Sequence, residues 1–345
     1  MFFRVQMEER GCCVLNLFIF YCLFYYVEFP ILLLRANNLK NLKGVFMRSE
    51  VMKQDTVYIG IKGVILLIIL CVSWGLNQVA IKVCITGIPP VLQAGIRSTC
   101  SALIVLLWML FRRQFVFEKD GTIWWGILAG FFFSVQFILL YWGLEFTNAS
   151  RAVILLNTAP FVVALGAQLF VKTENLTRIQ ILGLIMAFSG IVVAFNESLN
   201  LPTREMLIGD VMLLGAAVAW GSGTVLIKAS PLTNISPSKV LLYQLWVSAP
   251  ILLITSVFLD EGGIVDLNCI VIVSLVYQII WIAFITYVIW FWLIRKYPVS
   301  RIAPFTFLTP LFGVIAGAFL LGEPITSFLL CALVLVGIGI YFVNQ

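Results

Sequence analysis

Residues 74–82 read Trp74-Gly75-Leu76-Asn77-Gln78-Val79-Ala80-Ile81-Lys82, and residues 220–228 read Trp220-Gly221-Ser222-Gly223-Thr224-Val225-Leu226-Ile227-Lys228. Trp, Gly, Val, Ile and Lys recur at the same five offsets, with a shift of 220 − 74 = 146. Further matches follow in order. Trp142, Ser150, Arg151 and Pro160 correspond to Trp292, Ser300, Arg301 and Pro310 at a shift of 150, and Glu174 and Gly190 to Glu323 and Gly339 at 149. Apolar segments resemble one another by chance, but ordered Trp, Arg, Pro and Glu at nearly one shift do not. The chain is a tandem duplication.

Around these segments the 345 residues are 62% hydrophobic and 11% charged, whereas a soluble domain is about half apolar and about a quarter charged. Hydrophobic stretches lie near 63–82, 90–111, 122–143, 150–171, 178–196, 208–228, 238–259, 268–293, 300–321 and 326–343. At 1.5 Å per residue each is long enough, as a helix, to cross a hydrocarbon core of about 30 Å. Runs such as Gly63 to Leu70 do not alternate as barrel strands do. The expected fold is an all-α polytopic membrane protein of ten transmembrane helices. These form two five-helix repeats, 58–200 and 201–345. Five is odd, so the second copy enters the membrane from the opposite face. Inverted copies of this kind are a recurring transporter architecture, because exchanging their conformations gives two states of similar energy.

Basic residues orient the bundle. Sixteen of them, from Arg35 and Lys62 through Arg112, Lys172 and Lys239 to Arg301, fall on the side where the ten-helix unit begins. Three (Lys82, Arg151 and Arg204) fall on the other. The positive-inside rule then places the start of the unit and the C-terminus in the cytoplasm.

Residues 1–57 form an N-terminal extension. Gly11 to Leu34 is a further apolar run, interrupted by Asn16 and Glu28, and reads as an extra helix. It has no lipobox before Cys12 and no small-residue cleavage site, so neither a lipoprotein nor a cleaved signal peptide is expected. Alternatively translation starts at Met47 or Met52, leaving 345 − 46 = 299 or 345 − 51 = 294 residues that hold the whole ten-helix unit.

The composition removes most enzyme chemistry. There is no histidine, which excludes Ser-His-Asp triads and HExxH zinc sites. The eight cysteines contain no CxxC pair and lie mostly in apolar runs, so they read as small buried hydrophobes; no metal and no cofactor are expected. The net charge of 22 − 16 = +6 reflects membrane topology and does not indicate nucleic-acid binding.

The ten helices, the two five-helix repeats, the Trp-Gly of each repeat's first helix and the proline of each fourth helix resemble the drug/metabolite transporter superfamily, EamA type. The glutamate after each fourth helix and the glycine in each closing helix add to the resemblance, which covers residues 58–345. It implies a carrier of the bacterial inner membrane that exports amino acids, related metabolites or toxic compounds. One departure is the lack of the usual Arg directly after the repeat-end glutamate, where Thr173-Glu174-Asn175 and Gly322-Glu323-Pro324 stand.

Polar side chains in hydrocarbon cost free energy unless they face a cavity or a partner. The candidate substrate-binding set is therefore Asn77, Gln78, Gln136, Asn157, Ser222, Thr224, Gln278 and Thr306, with Trp74, Tyr141, Trp220 and Tyr287 as aromatic walls. Trp142 and Trp281 are further wall candidates. The bland alternative for each amide is an interhelical hydrogen bond, and for each ring plain packing. Arg97 lies seven residues beyond Pro90, about 10 Å along its helix. A charge at that depth costs roughly 2.5 kcal/mol or more and should meet water, a partner or an anion. It reads either as a clamp on a substrate carboxylate or as a side chain that snorkels or bonds carbonyls. Pro160 and Pro310 each remove a backbone donor within a span and are hinge or gating candidates.

No Asp or Glu lies deep inside the ten stretches, Glu145, Asp210 and Glu323 standing near their ends, so facilitated transport or exchange is expected rather than proton coupling. The leading reading is a transporter of small amphipathic solutes that works by alternating access as a monomer or homodimer. Its partners are a small-molecule solute and the lipid bilayer. A structural or assembly subunit of a membrane complex is the alternative. A membrane-embedded enzyme would need a base, metal or nucleophile pair at depth that the chain does not offer.

Overall fold

The structure, a computed structural model, describes residues 59–114, 120–196, 203–321 and 328–345. The extra helix read at 11–34, the alternative starts, Glu323 and Pro324 lie outside the described residues. Those described form ten helices in chain order: α1 Ile61–Cys84, α2 Pro90–Phe111, α3 Ile123–Phe146, α4 Ala149–Phe170, α5 Arg178–Phe195, α6 Arg204–Ala229, α7 Pro237–Phe258, α8 Cys269–Lys296, α9 Val299–Leu320 and α10 Phe328–Val343. By length and composition α1 to α9 suffice to cross a membrane, and α10 is a shorter apolar helix of 16 residues. We call the end of the bundle holding Ile61 and Gln345 proximal, and the end holding Cys84 and Pro90 distal.

Helix starts are written locally. Pro90 and Pro237 open α2 and α7, where a missing N–H costs nothing. Thr177 and Gln180 form a capping box on α5, and Asn148, Thr203 and Asn268 side chains accept backbone N–H groups at the starts of α4, α6 and α8.

Three helices depart from the regular spans expected. The fourth breaks into α4a, Ala149–Leu156, and α4b, Ala159–Phe170. Pro160 therefore opens the second piece instead of kinking a continuous helix. α9 begins with the single turn Val299–Ile302 and a 3₁₀ segment, Ala303–Phe307, and Pro310 is the third residue of the α-helical part that follows. The side chains just upstream turn back onto carbonyls of the preceding turn: Asn157 Nδ2 donates to Val153 O at 2.7 Å, Thr158 Oγ1 to Leu155 O at 2.6 Å, and Thr306 Oγ1 to Ala303 O at 2.7 Å. α8 carries a π-helical stretch, Tyr277–Thr286, a geometry that recurs at functional sites.

Apolar helices in lipid gain little from hydrophobic burial against one another, so close backbone approach holds the bundle. A Cβ built on Gly75 of α1 would stand 2.9 Å from Phe312 Cβ of α9, and one on Gly221 of α6 would stand 2.7 Å from Val162 Cβ of α4b. Phe312 and Val162 are 150 residues apart, the repeat shift. The first helix of each half thus meets the same position in the fourth helix of the other half. α5 and α10, the closing helices, cross where Gly183 and Gly339 allow contact: a Cβ on Gly339 would lie 2.5 Å from Gly183 O.

The two ends differ. At the proximal end Lys228 Nζ donates to the carbonyls of Ile294 and Tyr297 at 2.7 and 2.8 Å, tying α6 to the end of α8. The buried Glu174 carboxylate accepts from Val299 N and Ser300 N, both at 2.9 Å, and from Ser300 Oγ at 2.7 Å, which fixes the end of α4b to the start of α9. Lys239 pairs with Asp120 at 2.6 Å. At the distal end Glu261 accepts from Val91 N and Leu92 N at the start of α2, and Arg151 pairs with Asp210. Lys82 matches Lys228 in the repeat, yet it is exposed and lines a cavity of about 330 Å³ with Thr86 and Asn268.

Candidate functional site

The bundle centre is aromatic. The repeat-matched Trp74 and Trp220 both pack on Trp290 of α8, at centroid distances of 5.5 and 6.1 Å. Trp74 also meets Tyr287 at 6.2 Å and donates its indole N–H to Thr286 Oγ1 at 2.9 Å. Tyr287 continues to Phe133, Phe133 to Phe137, and Phe137 to Tyr141. Trp290 is only 2% exposed and escapes sequence reading because Leu140 stands at its repeat position.

Beneath this row lies a cavity of about 20 Å³. It is lined by Gln136, Trp220, Thr224 and Tyr287 from the expected set, together with Phe133, Gln244, Trp290 and Phe291. Such a volume holds a single water, whereas solute sites run to several hundred Å³. The conformation is closed around its centre, and helices must part to admit a solute.

Arg97 sits above the row on the distal side, 2% exposed, with its guanidinium carbon 4.6 Å from the Phe137 centroid. Its Nε and Nη2 have no hydrogen-bond partner among the described residues. It neither snorkels nor bonds carbonyls through those atoms. Gln93, one turn away on the same face of α2, is 1% exposed with both amide atoms unpartnered. Ser98 Oγ and both amide atoms of Gln278 are likewise buried and unpartnered. Buried polar groups are nearly always satisfied, so a buried guanidinium with two unpartnered nitrogens, one turn from the unpartnered amide of Gln93, is the chemically distinctive feature of the described residues.

The expected residues divide accordingly. Trp74, Gln136, Trp220, Thr224 and Tyr287 meet at the aromatic row and its cavity, and Arg97 and Tyr141 join it through Phe137. Thr224 Oγ1 also donates to Trp220 O at 3.0 Å. Asn157 and Thr306 serve the breaks in α4 and α9. Asn77 keeps a buried unpartnered Oδ1, Ser222 is half-buried, and Gln78 is exposed and crowds Gly313 of α9. Trp142 is 41% exposed, so it does not wall the centre. Trp281 donates to Ser73 Oγ at 3.0 Å and ties α8 to α1.

Gln244 is the residue sequence reading missed, although a signal existed. It follows Pro237 by seven residues, as Arg97 follows Pro90, at a shift of 244 − 97 = 147. It is 5% exposed and its Oε1 is buried without a partner.

The sequence pattern of the EamA-like transporter family matches residues 61–196 and again 207–345, one match in each half of the chain. The chain belongs to this family. A Salmonella typhimurium protein named "Probable amino-acid metabolite efflux pump" is 30% identical over 288 residues, covering 80% of this chain and 92% of the relative. A protein of the same name from Escherichia coli is 28% identical, covering 80% and 93%. "Uncharacterized transporter YvbV" of Bacillus subtilis is 26% identical, covering 81% and 90%. A solved crystal structure superposes with a TM-score of 0.71 at 16% identity, covering 81% of this chain and 94% of that one, which shows a shared fold. This EamA-like chain is a multi-pass membrane transporter, not an enzyme.

Proposed function

We propose that the protein exports or exchanges small carboxylate-bearing metabolites, amino acids foremost, by alternating access across a bacterial inner membrane. The observation that carries this reading is Arg97: a guanidinium 2% exposed, with two unpartnered nitrogens, beside an aromatic row. An unpaired charge in a low-dielectric interior is strongly unfavourable, and a solute carboxylate removes that cost on binding. The aromatic faces suit the apolar part of an amphipathic solute. The names of the Salmonella typhimurium and Escherichia coli relatives agree with this substrate class.

The proximal end is the cytoplasmic one in this reading, which the gathering of Lys62, Lys172, Lys239, Arg295 and Lys296 there supports under the positive-inside rule. Lys228 and Glu174 then hold the cytoplasmic end shut, and the 330 Å³ cavity at Lys82 opens outward. No carboxylate lines the central cavity, which favours movement down a solute gradient. The test is counterflow in proteoliposomes with a labelled mixture of amino acids and related carboxylates. Selective uptake, absent from empty liposomes and abolished in R97Q, is expected. A folded protein that moves none of them overturns the proposal.

A further inference from the structure

Arg97 and Gln244 hold equivalent places in the two repeats, each seven residues beyond the proline that opens its helix. Their helices pack directly on each other, and a Cβ on Gly95 of α2 would stand 2.7 Å from Leu253 of α7. The two helices run in opposite directions, so with Gly95 level with Leu253, Arg97 is level with Ile251. Gln244 lies seven residues further along α7, about 10 Å away in depth. One residue therefore faces the core from the distal half and the other from the proximal half.

They differ in chemistry. Arg97 offers unpartnered donors and a positive charge; Gln244 offers an unpartnered acceptor, Oε1, on the wall of the cavity. A buried acceptor without a donor is as anomalous as a buried donor without an acceptor. Trp220 and Trp290, stacked on each other, line the cavity beside Gln244, and Trp rings attract cations.

We propose, building on the carrier reading above, that Arg97 and Gln244 are the two polar anchors of a single solute. Arg97 takes its carboxylate and Gln244 Oε1 accepts from its amino or other N–H group. Gln244 is thus the residue that separates amino acids from deaminated acids of the same size, and Arg97 serves both. The inverted repeat supplies the matched positions, and the difference between them gives the solute one orientation.

The experiment is proteoliposome counterflow with labelled leucine and 4-methyl-2-oxopentanoate in wild type, Q244M, Q244E and R97Q, with folding checked by thermal unfolding in detergent. Q244M has nearly the volume of the native side chain and no strong acceptor. The wild type is expected to prefer leucine, and Q244M to lower the leucine-to-oxoacid ratio about tenfold while still moving the oxoacid. Q244E should raise that ratio, and R97Q should lose both solutes. A folded Q244M with an unchanged ratio overturns the inference and leaves the carrier reading standing. So does a folded Q244M inert towards both solutes, which would make the residue structural. A folded wild type that moves neither leucine, the oxoacid nor any solute of the wider mixture overturns both.

Discussion

Gly75 and Gly221 occupy matched positions in the two repeats and make matched contacts, with Phe312 and Val162. Arg97 and Gln244 are matched as well, yet one is a cation and the other a neutral amide. Lys228 ties two helices through carbonyls, while Lys82, its counterpart, lines an open cavity. The contrast separates two kinds of constraint. Positions where backbones touch must stay alike, because each half has to close on the other. Positions proposed to face the solute are free to diverge, because a solute has two different ends and the membrane two different sides.

The sharpest way to break this comparison is at Arg97. R97Q should weaken carboxylate binding by about 10- to 100-fold, the loss expected for hydrogen bonds to a charged group, a rise in KM that takes counterflow below detection at the solute concentrations that serve the wild type. A folded R97Q with unchanged KM would make Arg97 no different from a packing position. Next come the glycines. G75V and G221V should each destabilise the bundle by about 1–3 kcal/mol or more through overpacking, seen as a lower unfolding temperature in detergent. The two losses should be similar; a large loss from one alone would refute the symmetry of the crossings.

Lys228 and Lys82 offer a smaller effect of opposite meaning. K228M leaves two carbonyls at the end of α8 without their donor and should cost about 1–3 kcal/mol. K82M, at an exposed rim, should cost less, and equal losses would contradict the difference between the two ends. Smallest is the Asp120–Lys239 pair. Burial works against the Asp120 carboxylate, but hydrogen bonds from Lys239 and Thr122 outweigh it and hold its pKa at about 2 instead of 3.8. A lowered folded pKa means that the pair's contribution is complete above about 3.8 and lost as pH falls towards 2. D120N should therefore be slightly less stable than wild type by the same margin from pH 8 to pH 5, and the two should converge only below pH 4.

Much of the site was legible before the fold. Arg97 stood out because a charge amid apolar residues is conspicuous, and Trp74 and Trp220 because they repeat. Gln244 was overlooked because an amide in a span is ordinary; only its place relative to Pro237 distinguishes it. Trp290 has no repeat partner to flag it. Asn157 and Thr306 are cavity candidates in the sequence, yet each donates to a carbonyl of its own preceding turn, close to where α4 and α9 break. A polar side chain one turn before a proline has an intrahelical use that the sequence does not distinguish from a solute contact.

The sequence alone determined that the chain crosses the membrane as a duplicated set of helices and that one arginine lies deep within it. The hydrocarbon core dictates both, since it accepts only segments that satisfy their own backbone and makes any buried charge conspicuous. Tertiary structure decided where the polar groups point, that Trp74 and Trp220 share Trp290, and that Lys228 and Lys82, matched in the repeat, meet different surroundings at the two ends. Those outcomes depend on the rotation of each helix about its axis and on where α4 and α9 break. Close packing against the opposite repeat sets both, through contacts between residues far apart in the chain, such as Val162 with Gly221 (221 − 162 = 59 positions) and Gly75 with Phe312 (312 − 75 = 237).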